Sequence, residues 1–359
     1  MNVRYTFVIQ DLKGLGGTER SACAVMNGLV RQGCDVRLVE LVGPGAPAFP
    51  LSPEIPMTAL FVRPVKIFNS WFRIVWRLSR FLKRENIDTL VVVESTHALY
   101  GVAAAKLAGV RCVVWEHFNF NVTLNRRKRV WGRQLAARWA DDVVVLTQRD
   151  TALWREGTTV RARLSAIPNM APPVTDRLYP SESQLVLAAG RLTEQKGYDL
   201  LLRAWRIVEQ DPGSMGWDLL IRGDGPDRDA LLQQAQGLHR VTIAPAIGGI
   251  DADYARAALF VASSRYEGLP MVLLESLSAG VPVVAFDCET GPAEIVRDGE
   301  TGLLVPPEEP EALAVALLEL MRAPEQRQAM SVASRLRAAA FQEEAVMARW
   351  MDLLRNGGR

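Results

Sequence analysis

The chain of 359 residues is 49% apolar and 23% charged, a composition that excludes fibrous and disordered classes and at this length favours two cores over one. No apolar run approaches the ~18 residues that span a bilayer, Arg4 interrupts any signal-peptide pattern, and Cys23, Cys34, Cys112 and Cys288 form no CxxC pair, so a cytoplasmic protein with reduced thiols is expected. The net charge of +2 hides an asymmetry: residues 1–170 carry 24 Lys/Arg against 13 Asp/Glu, the remainder 18 against 27, so the halves are expected to meet different partners.

In chain order, strand-like runs at 5–10, 35–41, 89–94, 111–116 and 143–147 alternate with helical stretches such as 19–32 and 98–108. That alternation predicts a parallel sheet with crossover helices, a Rossmann-like domain over residues 1–170. Gly14-Leu15-Gly16-Gly17-Thr18-Glu19 follows the first strand and opens a helix. Glycines there let the backbone approach a phosphate that the helix N-terminus favours. Gly16 and Gly17 are therefore candidates for a phosphate-bearing ligand, with a plain strand–helix turn as the alternative. Glu40, about twenty residues on, also raises a dinucleotide site, but Glu19 stands where the third glycine of GxGxxG belongs.

The segment 67–85 (IFNSWFRIVWRLSRFLKRE) sets Phe68, Trp71, Phe72, Val75, Leu78 and Leu82 along one helical stripe beside Arg73, Arg77, Arg80, Lys83 and Arg84. It reads equally as a basic amphipathic helix resting on an anionic membrane and as an ordinary helix with its stripe in the core. Trp115-Glu116-His117-Phe118 ends the fourth strand, and Arg126-Arg127-Lys128-Arg129 adds a second basic cluster. His117 is one of three histidines; a neutral imidazole at a strand end can hold a sugar hydroxyl or simply be a satisfied structural group. No nucleic-acid module accompanies the charge.

A proline-rich linker at 168–180 leads to a second alternating series, with strands expected at 185–189, 218–222, 241–244, 259–262 and 283–286. This is a second Rossmann-like domain over residues 171–341, followed by a closing helix within 342–359. Gly190-Arg191-Leu192-Thr193-Glu194-Gln195-Lys196-Gly197 follows its first strand and sets two cations in one loop between glycines. Gly223-Asp224-Gly225-Pro226 reads as scaffold. Asp251-Ala252-Asp253 imitates a metal-binding DxD but begins a helix, where acids serve as caps; no metal and no other cofactor is expected.

The most informative stretch is 263–286, SSRYEGLPMVLLESLSAGVPVVAF. Glu267-Gly268-Leu269-Pro270 reads as a turn, and Met271 begins a helix that Gly280 ends, with Pro282 beyond it. Glu267 then precedes the helix and Glu275 lies about a turn inside it. The N–H groups around Leu269, Pro270, Met271 and Val272 would suit a phosphate.

This stretch resembles the Glu-x7-Glu signature of glycosyltransferase family 4, the retaining enzymes of GT-B architecture, and the resemblance extends from Gly16 to about Pro306. It includes the Arg191/Lys196 pair and Thr290-Gly291-Pro292-Ala293-Glu294-Ile295-Val296, a pattern similar to that of enzymes building bacterial surface polysaccharides. The resemblance implies two Rossmann-like domains facing each other across a cleft, with the last helix packing back on the first. It implies that Arg191 and Lys196 neutralise the donor diphosphate, Glu275 holds the ribose, Glu267 holds donor-sugar hydroxyls, and His117 approaches the reacting centre. Pro245 departs from the family's usual glycine near the base-lining segment, which leaves the base open; UDP is expected over GDP on family frequency. The expected reaction moves a hexosyl group from a nucleotide sugar to a glycan or polyprenyl-diphosphate-linked acceptor at the inner membrane face. A nucleotide-sugar epimerase, a non-catalytic nucleotide-sugar sensor and an NAD enzyme are the competing readings.

Overall fold

The structure, a computed structural model, describes residues 3–43, 45–124, 126–245 and 250–356. The chain opens with β1 (Arg4–Ile9), α1 (Gly17–Arg31), β2 (Asp35–Val42), β3 (Met57–Phe61), α2 (Ile67–Arg84), β4 (Thr89–Val93), α3 (Ala98–Ala108), β5 (Arg111–Trp115), α4 (Arg127–Trp139), β6 (Asp142–Val145), α5 (Gln148–Gly157) and β7 (Arg163–Ala166). It continues with β8 (Leu185–Ala189), α6 (Tyr198–Val208), β9 (Asp218–Arg222), α7 (Arg228–Gln234), β10 (Val241–Ala244), α8 (Asp251–Tyr254), β11 (Leu259–Ala262) and α9 (Met271–Ala279). After these come β12 (Val283–Phe286), α10 (Pro292–Ile295), β13 (Gly302–Val305), α11 (Pro310–Arg322), α12 (Pro324–Ala338) and α13 (Glu343–Asn356).

Two compact units result: Met1–Met170 with Glu343–Arg359, and Ala171–Gln342. Their sheets run β3-β2-β1-β4-β5-β6-β7 and β10-β9-β8-β11-β12-β13, and every pairing between neighbouring strands is parallel. Central strands such as β4 (TLVVV) and β12 (VVAF) are buried at every position, the signature of a parallel sheet covered on both faces. In each sheet the chain reverses direction of travel at its first strand, between β1 and β4 and between β8 and β11. Ligands of such folds bind outside the carboxyl ends of the strands at that point.

Three edge strands, β3, β7 and β13, lie outside the predicted set. All are short, and β7 has no fully buried position; only pairing with β2, β6 and β12 makes them strands. The helix α2 also departs from expectation. Val75, Leu78 and Leu82 join Ile67, Ile74 and Phe81 in the core, whereas Phe68 and Phe72 are exposed. A turn of 100° per residue carries positions 68, 72 and 76 off the core face that 67, 74, 75, 78 and 82 define.

The last helix belongs to the first unit for identifiable reasons. Trp350 is fully buried with its ring edge on Trp115 at 4.8 Å, and a Cβ on Gly28 would meet Met347 Sδ at 2.6 Å, so the glycine lets α13 sit close to α1. Arg111 donates to the terminal carbonyls of Leu353 and Leu354 at 2.9 Å each, and to Asp142 at 2.6 Å. Arg163 donates to the other Asp142 oxygen at 2.6 Å. Cations thus close the negative end of the helix dipole. Replacing the buried Asp142 by Ala leaves two guanidiniums uncompensated; we expect a loss on the order of 3 kcal/mol in urea unfolding and faster amide exchange confined to Glu343–Asn356. Unchanged exchange there would remove this cluster as the anchor.

Candidate functional site

In the second unit the loops after β8 and β11 are knitted together at the switch point. Arg265 N donates to Gln195 O at 2.8 Å, Ser263 Oγ donates to Lys196 O at 2.9 Å, and Arg265 forks onto Asp199 at 2.8 and 2.7 Å. Gly197 has φ 61°, and a Cβ there would strike the Ser263 carbonyl, so this crossing requires glycine. Gly223 and Gly225 similarly admit the backbone of Gly190 and Leu192, which makes the Gly223–Pro226 turn a buttress for the loop carrying Arg191.

The knitted loops bring two of the predicted residues into contact. Lys196 Nζ lies 2.6 Å from Glu267 Oε1, with the two side chains only 17% and 8% exposed. Ser264 Oγ donates to the same oxygen at 2.7 Å, and Gln195 Nε2 reaches Oε2 at 3.4 Å. The Glu267 turn is braced from behind: Thr290 Oγ1 donates to Glu267 O at 2.5 Å. Gly291, at φ 104°, packs where a Cβ would lie 2.7 Å from Pro270 Cδ. The Thr290-Gly291-Pro292 motif therefore holds the first glutamate in place.

Leu269 and Pro270 lead into α9, whose N-cap Pro270 supplies no side-chain cap, so Met271 and Val272 open the helix at a positive dipole end. Glu275, one turn in, accepts from Tyr254 Oη at 3.2 Å and lines a cavity of about 250 Å³ together with Asp251, Arg177 and Ser278. Arg191 is exposed; its guanidinium makes no ion pair among the described residues. Asp253 of the DxD-like triplet spends its carboxylate on Arg222 and Arg256, at 2.6 and 2.9 Å. Pro245 adjoins residues 246–249, so the expected base-lining segment lies outside the described residues.

The first unit carries the other predicted residues. Gly16 and Gly17 open α1 beside β1, and the Glu19 carboxylate folds over the turn: a Cβ on Gly14 or Gly16 would lie 2.7 or 2.6 Å from its oxygens. Glu40, which a dinucleotide would need for its ribose, is buried and accepts from Leu12 N at 2.9 Å.

His117 follows β5 and is 8% exposed, its ring 4.4 Å from that of Trp115, and Nε2 has no partner among the described residues. Burial pushes the imidazole down to about 4, against the pull of Glu116 and Glu94, so the ring is neutral near pH 7. Sequence reading missed what positions it. Glu116, 1% exposed, accepts from His117 N at 2.9 Å and Phe118 N at 3.1 Å on one oxygen. Its other oxygen takes Ser95 Oγ at 2.5 Å and Arg133 Nε at 2.9 Å. Arg133 also donates to the carbonyls of Phe120 and Val122. Both Arg129 and Arg133 are 1% exposed, which corrects the reading of 126–129 as one surface cluster. The signal was available: Gly132, Ala136 and Ala137 mark that helix face as buried.

Residues 15–173 match the family described as Glycosyltransferase Family 4, and residues 183–323 match Glycosyl transferases group 1. An uncharacterized glycosyltransferase of Haemophilus influenzae is 31% identical over 352 residues, covering 97% of this chain and 99% of its own. The amylovoran biosynthesis glycosyltransferase AmsD of Erwinia amylovora is 28% identical over 362 residues, covering 97% and 98%. Among solved structures, Anabaena HepE in complex with UDP superimposes with a TM-score of 0.80 at 18% identity over 99% of this chain and 100% of that one. The chain belongs to glycosyltransferase family 4 and has the GT-B type of fold, two Rossmann-like units. It is a transferase of glycosyl groups.

His117 gives a pH test. Its folded value of about 4 lies below the unfolded 6.5, so the unfolded chain binds the extra proton, and this group removes stability as pH falls between those values. Asp150, which burial raises to about 7, acts in the opposite sense, so only a difference between variants isolates the histidine. We expect His117→Gln to flatten the fall in melting temperature from about pH 6.5 to about 4. An identical pH profile in wild type and variant would refute the buried neutral ring.

Proposed function

We propose that the protein is a retaining hexosyltransferase that moves a hexosyl group from a UDP-sugar to a glycan or polyprenyl-diphosphate-linked acceptor. The observation that carries this reading is the Lys196–Glu267 pair at the switch point of the second unit, beside the exposed Arg191 and ahead of α9, to which Pro270 gives no side-chain cap. A buried carboxylate suits sugar hydroxyls; two cations and a helix N-terminus suit the diphosphate that leaves. In this reading Leu269, Pro270, Met271 and Val272 contribute backbone to the phosphates and Glu275 takes the ribose. Gly16 and Gly17 allow close backbone approach once the Glu19 carboxylate turns aside, and neutral His117 receives a donor-sugar hydroxyl. UDP is favoured by family frequency and by the nucleotide bound to the structural relative HepE.

In the proposed same-face displacement the bond from the anomeric carbon to the β-phosphate oxygen breaks and a bond to the acceptor oxygen forms. The acceptor proton passes to the departing phosphate. The protein's share is stabilising the oxocarbenium-like state and the leaving charge. Glu267 braces the donor sugar; no covalent adduct on it is required.

Calorimetric titration with UDP, GDP and ADP should show binding by one of them, UDP by this reading. Arg191→Ala and Lys196→Ala should each weaken it by roughly 10- to 100-fold, the worth of a charge-assisted hydrogen bond, and Glu275→Ala by about tenfold. Product anomers read by NMR should retain the donor configuration. An isomerised sugar from donor alone would instead identify an epimerase, and binding without turnover a sensor.

Membrane contact belongs to the same proposal. No helix among the described residues is long and apolar enough to cross a membrane, yet Phe68, Phe72 and Trp76 stand 51%, 82% and 55% exposed along one ridge of α2. Trp131 of α4 meets Phe68 edge-on at 5.9 Å, with Lys128 5.1 Å from the Phe68 ring. Exposed Arg73, Arg80 and Lys83 lie on the same helix, whereas Arg77 is half-buried and bonded to Leu60 O at 2.5 Å. Aromatic side chains with basic neighbours fit the interface of an anionic bilayer. The protein should pellet with phosphatidylglycerol vesicles but not phosphatidylcholine vesicles, and less at high salt. Charge reversal of Arg73, Arg80 and Lys83 to Glu should abolish pelleting while UDP binding persists; undiminished pelleting rejects the surface.

A further inference from the structure

The first sheet's switch point carries a carboxylate that the donor site leaves unused. Glu94 closes β4 with φ 70° and ψ 132°, a backbone region that side chains other than glycine seldom adopt and that clusters at functional sites. Its Oε1 accepts from Arg129 Nη2 at 2.6 Å and from Thr96 Oγ1 at 3.0 Å, while Oε2 has no donor among the described residues. The pair is lopsided: the arginine side chain is 1% exposed and the glutamate 22%.

The surroundings are polar and short of partners. Arg129 Nε and Nη1, the Tyr100 hydroxyl and His117 Nε2 are buried without hydrogen-bond partners among the described residues. The charge of Glu94 is felt at both Tyr100 and His117, and the Phe118 ring stacks 4.0 Å from the Arg129 guanidinium. Ion pairs this deep seldom stabilise more than apolar packing would. Unpaired buried polar atoms in such numbers point to a ligand or to ordered water.

The charge balance selects the ligand. An anion would be repelled by Glu94 and a cation by Arg129, whereas a neutral polyol can donate to the carboxylate and accept from its neighbours. We propose that Glu94, held by Arg129, binds the hydroxyls of the acceptor saccharide, and that Phe118 contributes an apolar ring to the same site. This rests on the reading of the chain as a sugar transferase, and it assigns acceptor recognition to the strand that adjoins β1.

Methyl α-glycosides of glucose, galactose and N-acetylgalactosamine serve as probes, with saturation-transfer NMR as readout and the UDP-induced shift in melting temperature measured in parallel. Wild type should give a saturation signal with at least one glycoside. Glu94→Gln, and independently Glu94→Asp, should reduce it by about tenfold, the worth of a charge-assisted hydrogen bond, with the UDP shift intact as proof of folding. An unchanged signal in Glu94→Gln, or no glycoside signal from a wild type that UDP still stabilises, overturns the proposal. Glycoside binding lost in Glu94→Gln by a protein that ignores UDP would uphold Glu94 and overturn the donor reading instead.

Discussion

A carboxylate folded among strand ends must find cations and donors, and the second unit is organised around that requirement at Glu267. Taking a charge from water costs several kcal/mol, and here Lys196, Ser264 and Gln195 meet it from two loops. The loops can do so only because Gly197 admits the Ser263 carbonyl and Arg265 ties one to the other through Asp199. Removing Lys196 or Ser264 would take a partner from a buried carboxylate oxygen. The glycine pattern, the Arg265 fork and the Thr290 brace are consequences of one buried acid.

The first unit solves the same problem twice at the ends of β4 and β5. Glu116 is saturated: each oxygen takes two donors, and the carboxylate serves as a peg for the backbone that presents His117. Glu94 is satisfied on one oxygen only. The contrast separates a structural acid from one with spare capacity, and it does so within a single sheet edge, where strand register places Val93 level with Trp115.

Much of this was legible in the chain. Valine- and leucine-rich runs announce central parallel strands because burial on both faces forces continuous apolarity, and Gly280 and Pro282 mark where α9 must stop. Edge strands carry less of that pressure, and β3, β7 and β13 went unread. Resemblance supplied Lys196 and Glu267 individually. Their union could not be read, since the partners are 71 residues apart and only the crossing of two loops joins them. Arg129 was misread, and Arg133 went unread, because a run of basic residues looks solvated until the helix is turned and their i,i+4 spacing falls on the face of Gly132 and Ala136. Phe68 and Phe72 were read into one stripe with Val75, Leu78 and Leu82, and helical phase parts them from it.

In the proposed donor site, the choice of cation at each position follows from what must change during a reaction. An ammonium has three donors on a flexible stem, so Lys196 can keep Glu267 while turning a second N–H toward an arriving phosphate oxygen. A guanidinium in that place would commit its planar fork to the carboxylate and would have to break it. Arg191 carries no such prior commitment among the described residues, and there the fixed fork is an advantage, since two parallel N–H groups match two phosphate oxygens. The resting ion pair is thus compatible with donor binding: its glutamate retains the Ser264 hydroxyl and the Gln195 amide when part of the lysine's attention is drawn away.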